Sequence, residues 1–301
     1  MPALPIPDVK NDPSKVQLAR LGFFIFEHPK LADFERFAED FGFIEAERTD
    51  NTICYRGYGR DPVVYVAVQS PDGRPRFRGP AFVAKDADEF EKAARLPGAS
   101  PVKQLDTPGG GRMVTFERGD DTWFHVVHGQ QERVVDGKQP PTATHETLEP
   151  FNGPFEKPRR GRFQRYHDGP ALVHKAGHFG YVCRPFEEEL SFYTSNFNFV
   201  HTDVLFHDKF TDMDVMTFMH LDLGPEYSDH HIMFLQRAIP EVKKTYVHHT
   251  SYEVADFDTQ LLGHEHLAKN GHRSVWGVGR HILGSQIFGS RILHRSKAAT
   301  C

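Results

Sequence analysis

The sequence predicts a two-domain α+β protein assembled from tandem β-α-β-β-β units. Two observations carry this: short β-rich runs alternate with amphipathic helices, and the opening theme returns in the second half of the chain. LGFFIFEHPKLADFERFAEDFGF, from Leu21, aligns with AGHFGYVCRPFEEELSFYTSNFNF, from Ala176. Gly22 pairs with Gly177 and, after a one-residue insertion, Pro29 with Pro185, Phe37 with Tyr193, Phe41 with Phe197 and Phe43 with Phe199. A later strand repeats as well. FRGPAFVAKDADEF aligns with VHHTSYEVADFDTQ, so that Phe82 pairs with Tyr252, Asp86 with Asp256 and Asp88 with Asp258.

In chain order, residues 1–15 carry four prolines and no periodicity, which predicts an N-terminal arm. VQLARLGFFIFE reads as a strand, and Leu31, Phe34, Phe37, Ala38 and Phe41 then fall at helical spacing. TICYRGYG, PVVYVAVQS and PRFRGPAFVAKD are three β-rich runs separated by Gly, Asp and Pro turn signals, completing a β-α-β-β-β unit. DADEFEKAARL predicts a second helix, and GGGRMVTFERGDDTWFHVVHG a closing hairpin near Gly129. The first domain is thus placed at 16–129. Residues 130–172, dense in Pro, Gly and charge, predict a linker, part of which packs across both domains. The second domain is placed at 173–288, followed by a divergent tail at 289–301.

At 301 residues the chain is long enough for two cores. Its 36 Lys and Arg against 41 Asp and Glu leave no basic footprint for nucleic acid or an anionic membrane, so the expected ligand is a small molecule. Cys54, Cys183 and Cys301, odd in number and scattered, argue against a disulfide framework and for a reducing compartment. No run of apolar residues spans a membrane and the start lacks a signal-peptide pattern, which predicts a cytoplasmic protein. The 26 Phe and 19 His are unusual, and an aromatic core with a histidine-lined site accounts for both.

What differs between the copies is informative. Phe23 stands where His178 does, and Gly79 where His249 does, so only the second copy carries a histidine on each of two equivalent strands. Two neutral imidazoles on a rigid sheet suit a transition metal. On an alternating strand His248 and His249 point to opposite faces, so only one of them can be a ligand from this strand.

These paired modules, with GHFGYV and HTSYEVADFD in the second, resemble the vicinal oxygen chelate superfamily and, in layout, its two-domain extradiol ring-cleavage dioxygenases. The resemblance covers about residues 16 to 288. It implies His178 and His249 as metal ligands, His230 in SDHHIMFL, followed by His231, as the acid–base group, and His281 in GVGRHILG as a substrate-contacting residue. It implies Fe(II), or alternatively Mn(II), a catecholic aromatic substrate and O2. His174, His201, His207, His264, His266 and His272 match no such position and are expected to be surface or capping residues. Exposed edges of a multi-module sheet favour a homo-oligomer.

The family also places a glutamate ligand on the last strand, with a tyrosine midway. No Asp or Glu follows Glu265 and no Tyr follows Tyr252. The expectation is therefore a weakened metal site, little ring-cleaving activity and an open sheet edge where the closing strand would lie. The alternatives on this scaffold are a non-catalytic protein that binds aromatics and a glyoxalase-like isomerase. The ligand-free first copy counts against the latter.

Overall fold

A computed structural model describes residues 5–135, 154–156, 169–207, 209 and 213–292, together with the strand backbone at 144–145, 165–166, 210–212 and 299–300. The first half runs β1(Leu18–His28), α1(Leu31–Phe41), β2(Ile44–Arg48), β3(Thr52–Arg56), β4(Tyr65–Gln69), β5(Arg76–Ala84), α2(Ala87–Ala94), β6(Lys103–Gln104), β7(Arg112–Gly119) and β8(Thr122–His128). A two-stranded ribbon, β9(Thr144–His145) with β10(Arg165–Tyr166), follows. Most of the predicted linker and of the tail lies outside the described residues.

The second half repeats the series: β11(Ala176–Cys183), α3(Phe186–Asn196), β12(Phe199–His207), β13(Phe210–Leu221), β14(Met233–Arg237), β15(Tyr246–Tyr252), α4(Phe257–Lys269), β16(Ser274–Arg280), β17(Ile287–Ile292) and β18(Ala299–Thr300). Each half is one eight-stranded sheet, ordered β2-β3-β4-β1-β5-β8-β7-β6 in the first and β12-β13-β14-β11-β15-β18-β17-β16 in the second. Each sheet is therefore two β-α-β-β-β modules joined through antiparallel central strands, β1 with β5 and β11 with β15. The observed register pairs Leu21 with Phe82 and Ala176 with Tyr252, matching the sequence repeat residue for residue.

The hydrophobic pattern misplaces one boundary. It takes TICY, PVVY and PRFR as the three strands after α1, whereas the first of those three is β2, IEAER, which is almost wholly exposed. An edge strand solvated on both faces has no apolar alternation to detect. The PRFR run, β5, opens the second module. A second difference lies at the far end. The sheet position that β8 fills beside β5 is filled beside β15 by β18, with His249 opposite Ala299 and Thr250 opposite Thr300, so the expected gap is bridged over two residues.

Local chemistry explains the elements. α1 buries Leu31, Phe34, Phe37 and Ala38 and stops at Gly42, whose φ of 97° is left-handed and whose Cβ position would meet the Ala171 carbonyl at 1.8 Å. The repeated aspartates are helix caps: Asp86 accepts from Glu89 N in α2 and Asp256 from Thr259 N in α4. The β7–β8 hairpin turns on Asp120 and Asp121, both at positive φ.

Between the halves lies an aromatic core. Phe24 and Phe82 of one sheet meet Phe179 of the other at 6.0 and 6.2 Å, and Tyr252 meets Phe43 edge-on at 4.8 Å. Burying each such ring contributes roughly 1.5–3 kcal/mol. Polar contacts fix the alignment. The buried Asn198 accepts from Leu18 N at 2.9 Å and donates to the carbonyls of Leu18 and Asp222, both at 3.0 Å. Asp40 on α1 accepts from His272 at 2.7 Å and His266 at 3.1 Å beyond and within α4.

Among the described residues Cys54 and Cys183 are buried free thiols. No described helix is long and apolar enough to cross a membrane.

A buried histidine supports the first sheet. β5 bulges at Arg78, which drops out of the ladder between Phe77 and Gly79. The Arg78 carbonyl lies 2.7 Å from His125 Nε2, and His125 Nδ1 lies 2.8 Å from Thr115 Oγ1. Burial pushes the His125 pKa down to about 4 from 6.5, against the raising effect of its backbone hydrogen bond. The ring is thus neutral when folded and takes up a proton more readily when unfolded. Its contribution is complete above pH 6.5 and declines as pH falls toward 4, by about 3 kcal/mol in all. In His125→Gln, the loss of stability between pH 7 and pH 5, measured by urea unfolding, should be smaller than in the parent by about 2 kcal/mol. Equal losses would contradict this role.

Candidate metal and diol site

The second sheet curves around a cavity of about 590 Å³. His178, His230, His249 and His281 all line it, drawn from β11, the turn before β14, β15 and the turn after β16. β11 and β15 set the first pair. Their register places Gly180 opposite His249 and Tyr181 opposite Val247, leaving His248 unpaired in a bulge. The bulge corrects the alternation argument. With one residue taken out of the ladder, His248 and His249 line the same cavity, their Nδ1 atoms 2.8 Å apart.

His178 Nε2 and His249 Nε2 face each other at 3.0 Å. Metal–nitrogen bonds of about 2.1 Å at a right angle put two donors about 3.0 Å apart, so this spacing suits two adjacent positions on one ion. Ser251 Oγ accepts from the His178 backbone N–H at 2.8 Å and lies 2.8 Å from its Nδ1. With Nδ1–H donating to that hydroxyl, the Nε2 lone pair turns into the cavity. Desolvation, with neighbouring histidines adding to it, holds His178 well below its ordinary pKa and pushes His249 down to about 3. Both are neutral at physiological pH, the state a metal ligand needs.

The donor set goes no further. Among the described residues no three His, Cys, Asp or Glu side chains converge as metal ligands. The three carboxylates that line the cavity among the described residues are engaged elsewhere. Asp229 and Glu253 pair with Lys175 at 3.1 and 3.0 Å, and Asp256 caps α4. The residues present fit a divalent ion at two coordination positions and supply no described carboxylate for a third.

A second chain of contacts runs beside the pair. Asp203 Oδ2 lies 3.0 Å from His230 Nε2, His230 Nδ1 lies 3.0 Å from His231 Nδ1, and the His231 ring stands 4.4 Å from that of His178. With the carboxylate accepting from His230 Nε2–H, His230 Nδ1 accepts from His231 Nδ1–H, and His231 Nε2 carries the lone pair. Sequence reasoning singled out His230 and missed Asp203, Ser251 and the inner place of His231. An aspartate in FVHTDVLF and a serine in HHTSY carry no spacing signal of their own. His281 is held by its own turn, with Nδ1 accepting from Leu283 N at 3.0 Å, and packs on Phe288 at 5.0 Å. Of the histidines left without a site, His174 stacks on Tyr58, His201 meets Thr217, and His266 and His272 hold Asp40.

The first sheet shows the same place filled. The register puts Phe23, Val63, Val66 and Ala81 where the second sheet has His178, His231, Phe234 and Ser251, and these four pack with Cys54 and Val127 as a separate apolar cluster. One filled and one hollow sheet of paired β-α-β-β-β modules make up the vicinal oxygen chelate fold, in the two-domain arrangement of the type I extradiol dioxygenases.

The particular relatives agree with that arrangement. The chain is 26% identical to metapyrocatechase 2 of Cupriavidus necator over 270 residues, 88% of this chain and 74% of that protein. It superposes with a TM-score of 0.66 on homoprotocatechuate 2,3-dioxygenase from Brevibacterium fuscum in complex with 3,4-dihydroxyphenylacetate, at 14% identity and covering 99% and 82% of the two chains. The Mn(II)-bound glyoxalase from Novosphingobium aromaticivorans gives a TM-score of 0.67 at 17% identity, covering 94% and 81%. A scan against protein-family models finds no match.

Two outcomes check this geometry. After anaerobic incubation with Mn(II) and gel filtration, His178→Ala and His249→Ala should each retain roughly 10 to 100-fold less metal than the parent, whereas His174→Ala should retain as much. Equal retention in all three variants would point to a plain hydrogen bond between the two rings. In Asp203→Asn, the nitrogen chemical shifts of His230 should report a changed tautomer, and an unaltered spectrum would sever that link.

Proposed function

We propose that this chain is an extradiol-dioxygenase-type protein whose C-terminal sheet binds a catecholic aromatic compound beside a divalent ion, Fe(II) or alternatively Mn(II), held by His178 and His249. The observation that supports this most strongly is the facing pair of neutral imidazole nitrogens 3.0 Å apart on the floor of an aromatic-walled cavity. Bound Fe(II) would supply chelation of both diol oxygens and a route for electrons to dioxygen.

The remaining steps fall to the chain's own groups. The lone pair on His231 Nε2 takes a proton from the entering diol, and His230 and Asp203 behind it hold the ring in that tautomer. His230 is thus part of a relay rather than a single base. His281 lies along the same wall to hydrogen-bond a diol oxygen. Phe218, Phe234 and Phe288 flank the space and exclude water from the ring. With the ion bound and O2 as the oxidant, both of whose atoms would enter the product, the ring would open next to the hydroxyls to a semialdehyde or keto acid.

Two protein ligands hold an ion less firmly than three. We therefore expect weak metal retention and slow turnover, since disturbing even a ligand's supporting partner costs roughly 10 to 100-fold. The same incompleteness favours a second reading, a protein that binds aromatic compounds without converting them. A glyoxalase-like reaction is disfavoured because the first sheet's cup is packed shut.

Loading the protein with Fe(II) anaerobically, then adding catechol and air, should give a yellow ring-fission product slowly. Rapid formation would contradict the weakened site. Binding of aromatics with equal strength in the presence and absence of metal, and no product, would replace the enzyme by the binding protein.

A further inference from the structure

The cavity's walls carry more information than its metal end. Among the described residues no lysine or arginine lines it. Its three described carboxylates are already committed, two of them to Lys175 and one to the end of α4. Asp256 also occupies the N-terminus of α4, where backbone N–H groups could otherwise have received an anion. A ligand carboxylate placed away from the diol end would leave water and meet no cationic side chain among the described residues, a loss that a buried charge recovers only through a partner.

The space also exceeds a single ring. From His281 the wall continues through Phe288, 5.0 Å away, to Trp276, a further 5.8 Å on. Trp276 is 63% exposed and stands at the cavity's outer rim beside the half-open Val275. At about 590 Å³ the cavity has the volume of a pocket for a drug-sized molecule, and a one-ring diol would leave most of it to water. The aromatic strip from His281 to Trp276 offers flat apolar area to a second ring.

We infer that the substrate class is the uncharged aryl-substituted or fused-ring catechols, and that carboxylated catechols are excluded. This rests on the diol site proposed above and adds to it both the charge and the size of the substituent.

Calorimetric titration of the full-length protein with Mn(II) present, under anaerobic conditions, separates the possibilities. For size, 3-phenylcatechol should bind at least about tenfold more tightly than catechol. For charge, the neutral amide of 3,4-dihydroxyphenylacetate should bind at least about tenfold more tightly than the acid. Trp276→Ala, a change at an exposed position that spares the core, should lower affinity for 3-phenylcatechol about fivefold more than affinity for catechol. The acid binding as tightly as its amide would overturn the charge assignment, and catechol matching 3-phenylcatechol would overturn the size assignment. Failure of every diol to bind would overturn the diol site itself and this inference with it.

Discussion

The pairing of β11 with β15 is the constraint on which the site depends. Gly180 sits opposite His249, and His248 bulges out of the ladder one residue earlier. Gly180 makes room for Phe234, since a Cβ there would lie 1.9–2.3 Å from its ring atoms and displace the ring. That absence lets Phe234 lie 5.2 Å from the His249 ring and support it from one side, while Ser251 fixes His178 from the other. Two imidazoles then converge without either being part of a flexible loop, which is how a sheet can hold ligand vectors closely.

The first half uses the same bulge for another purpose. Arg78 is the residue out of the ladder, its guanidinium lies 3.3 Å over the Trp123 ring, and its carbonyl is met by His125. Gly79, at φ 103°, has the Trp123 carbonyl 2.0 Å from where a Cβ would be. A histidine at that position would be excluded both by backbone conformation and by space. The duplicated frame has thus been filled in one half, with Phe23, Val63, Val66 and Ala81, and left hollow and polar in the other. The packed half gains burial energy, while the hollow half keeps buried histidines whose depressed pKa values reflect the cost of their surroundings.

Much of this was legible in the residues alone, for identifiable reasons. The duplication survives in positions that packing or backbone geometry demands: glycines, helix-capping aspartates and core aromatics, all of which keep their register. The histidine differences between the copies then singled out His178 and His249. What remained hidden depended on irregularity or on distance in sequence. The exposed β2 has no hydrophobic rhythm. The bulge at His248 breaks the alternation that strand reasoning assumes. The link from Asp203 to His230 spans 27 positions between neighbouring parts of the sheet and has no local signature. β18 is only two residues long, too short for any pattern.

The account turns on the claim that two imidazoles, without a carboxylate from the described residues, form the protein's share of a metal site. Pulsed electron paramagnetic resonance of the Mn(II)-loaded protein, prepared with nitrogen-15 histidine, counts the coordinated ring nitrogens directly. Two imidazole couplings that are both lost in the His178→Ala, His249→Ala double variant are the predicted result. A spectrum with no imidazole coupling, or one that persists in the double variant, would contradict it.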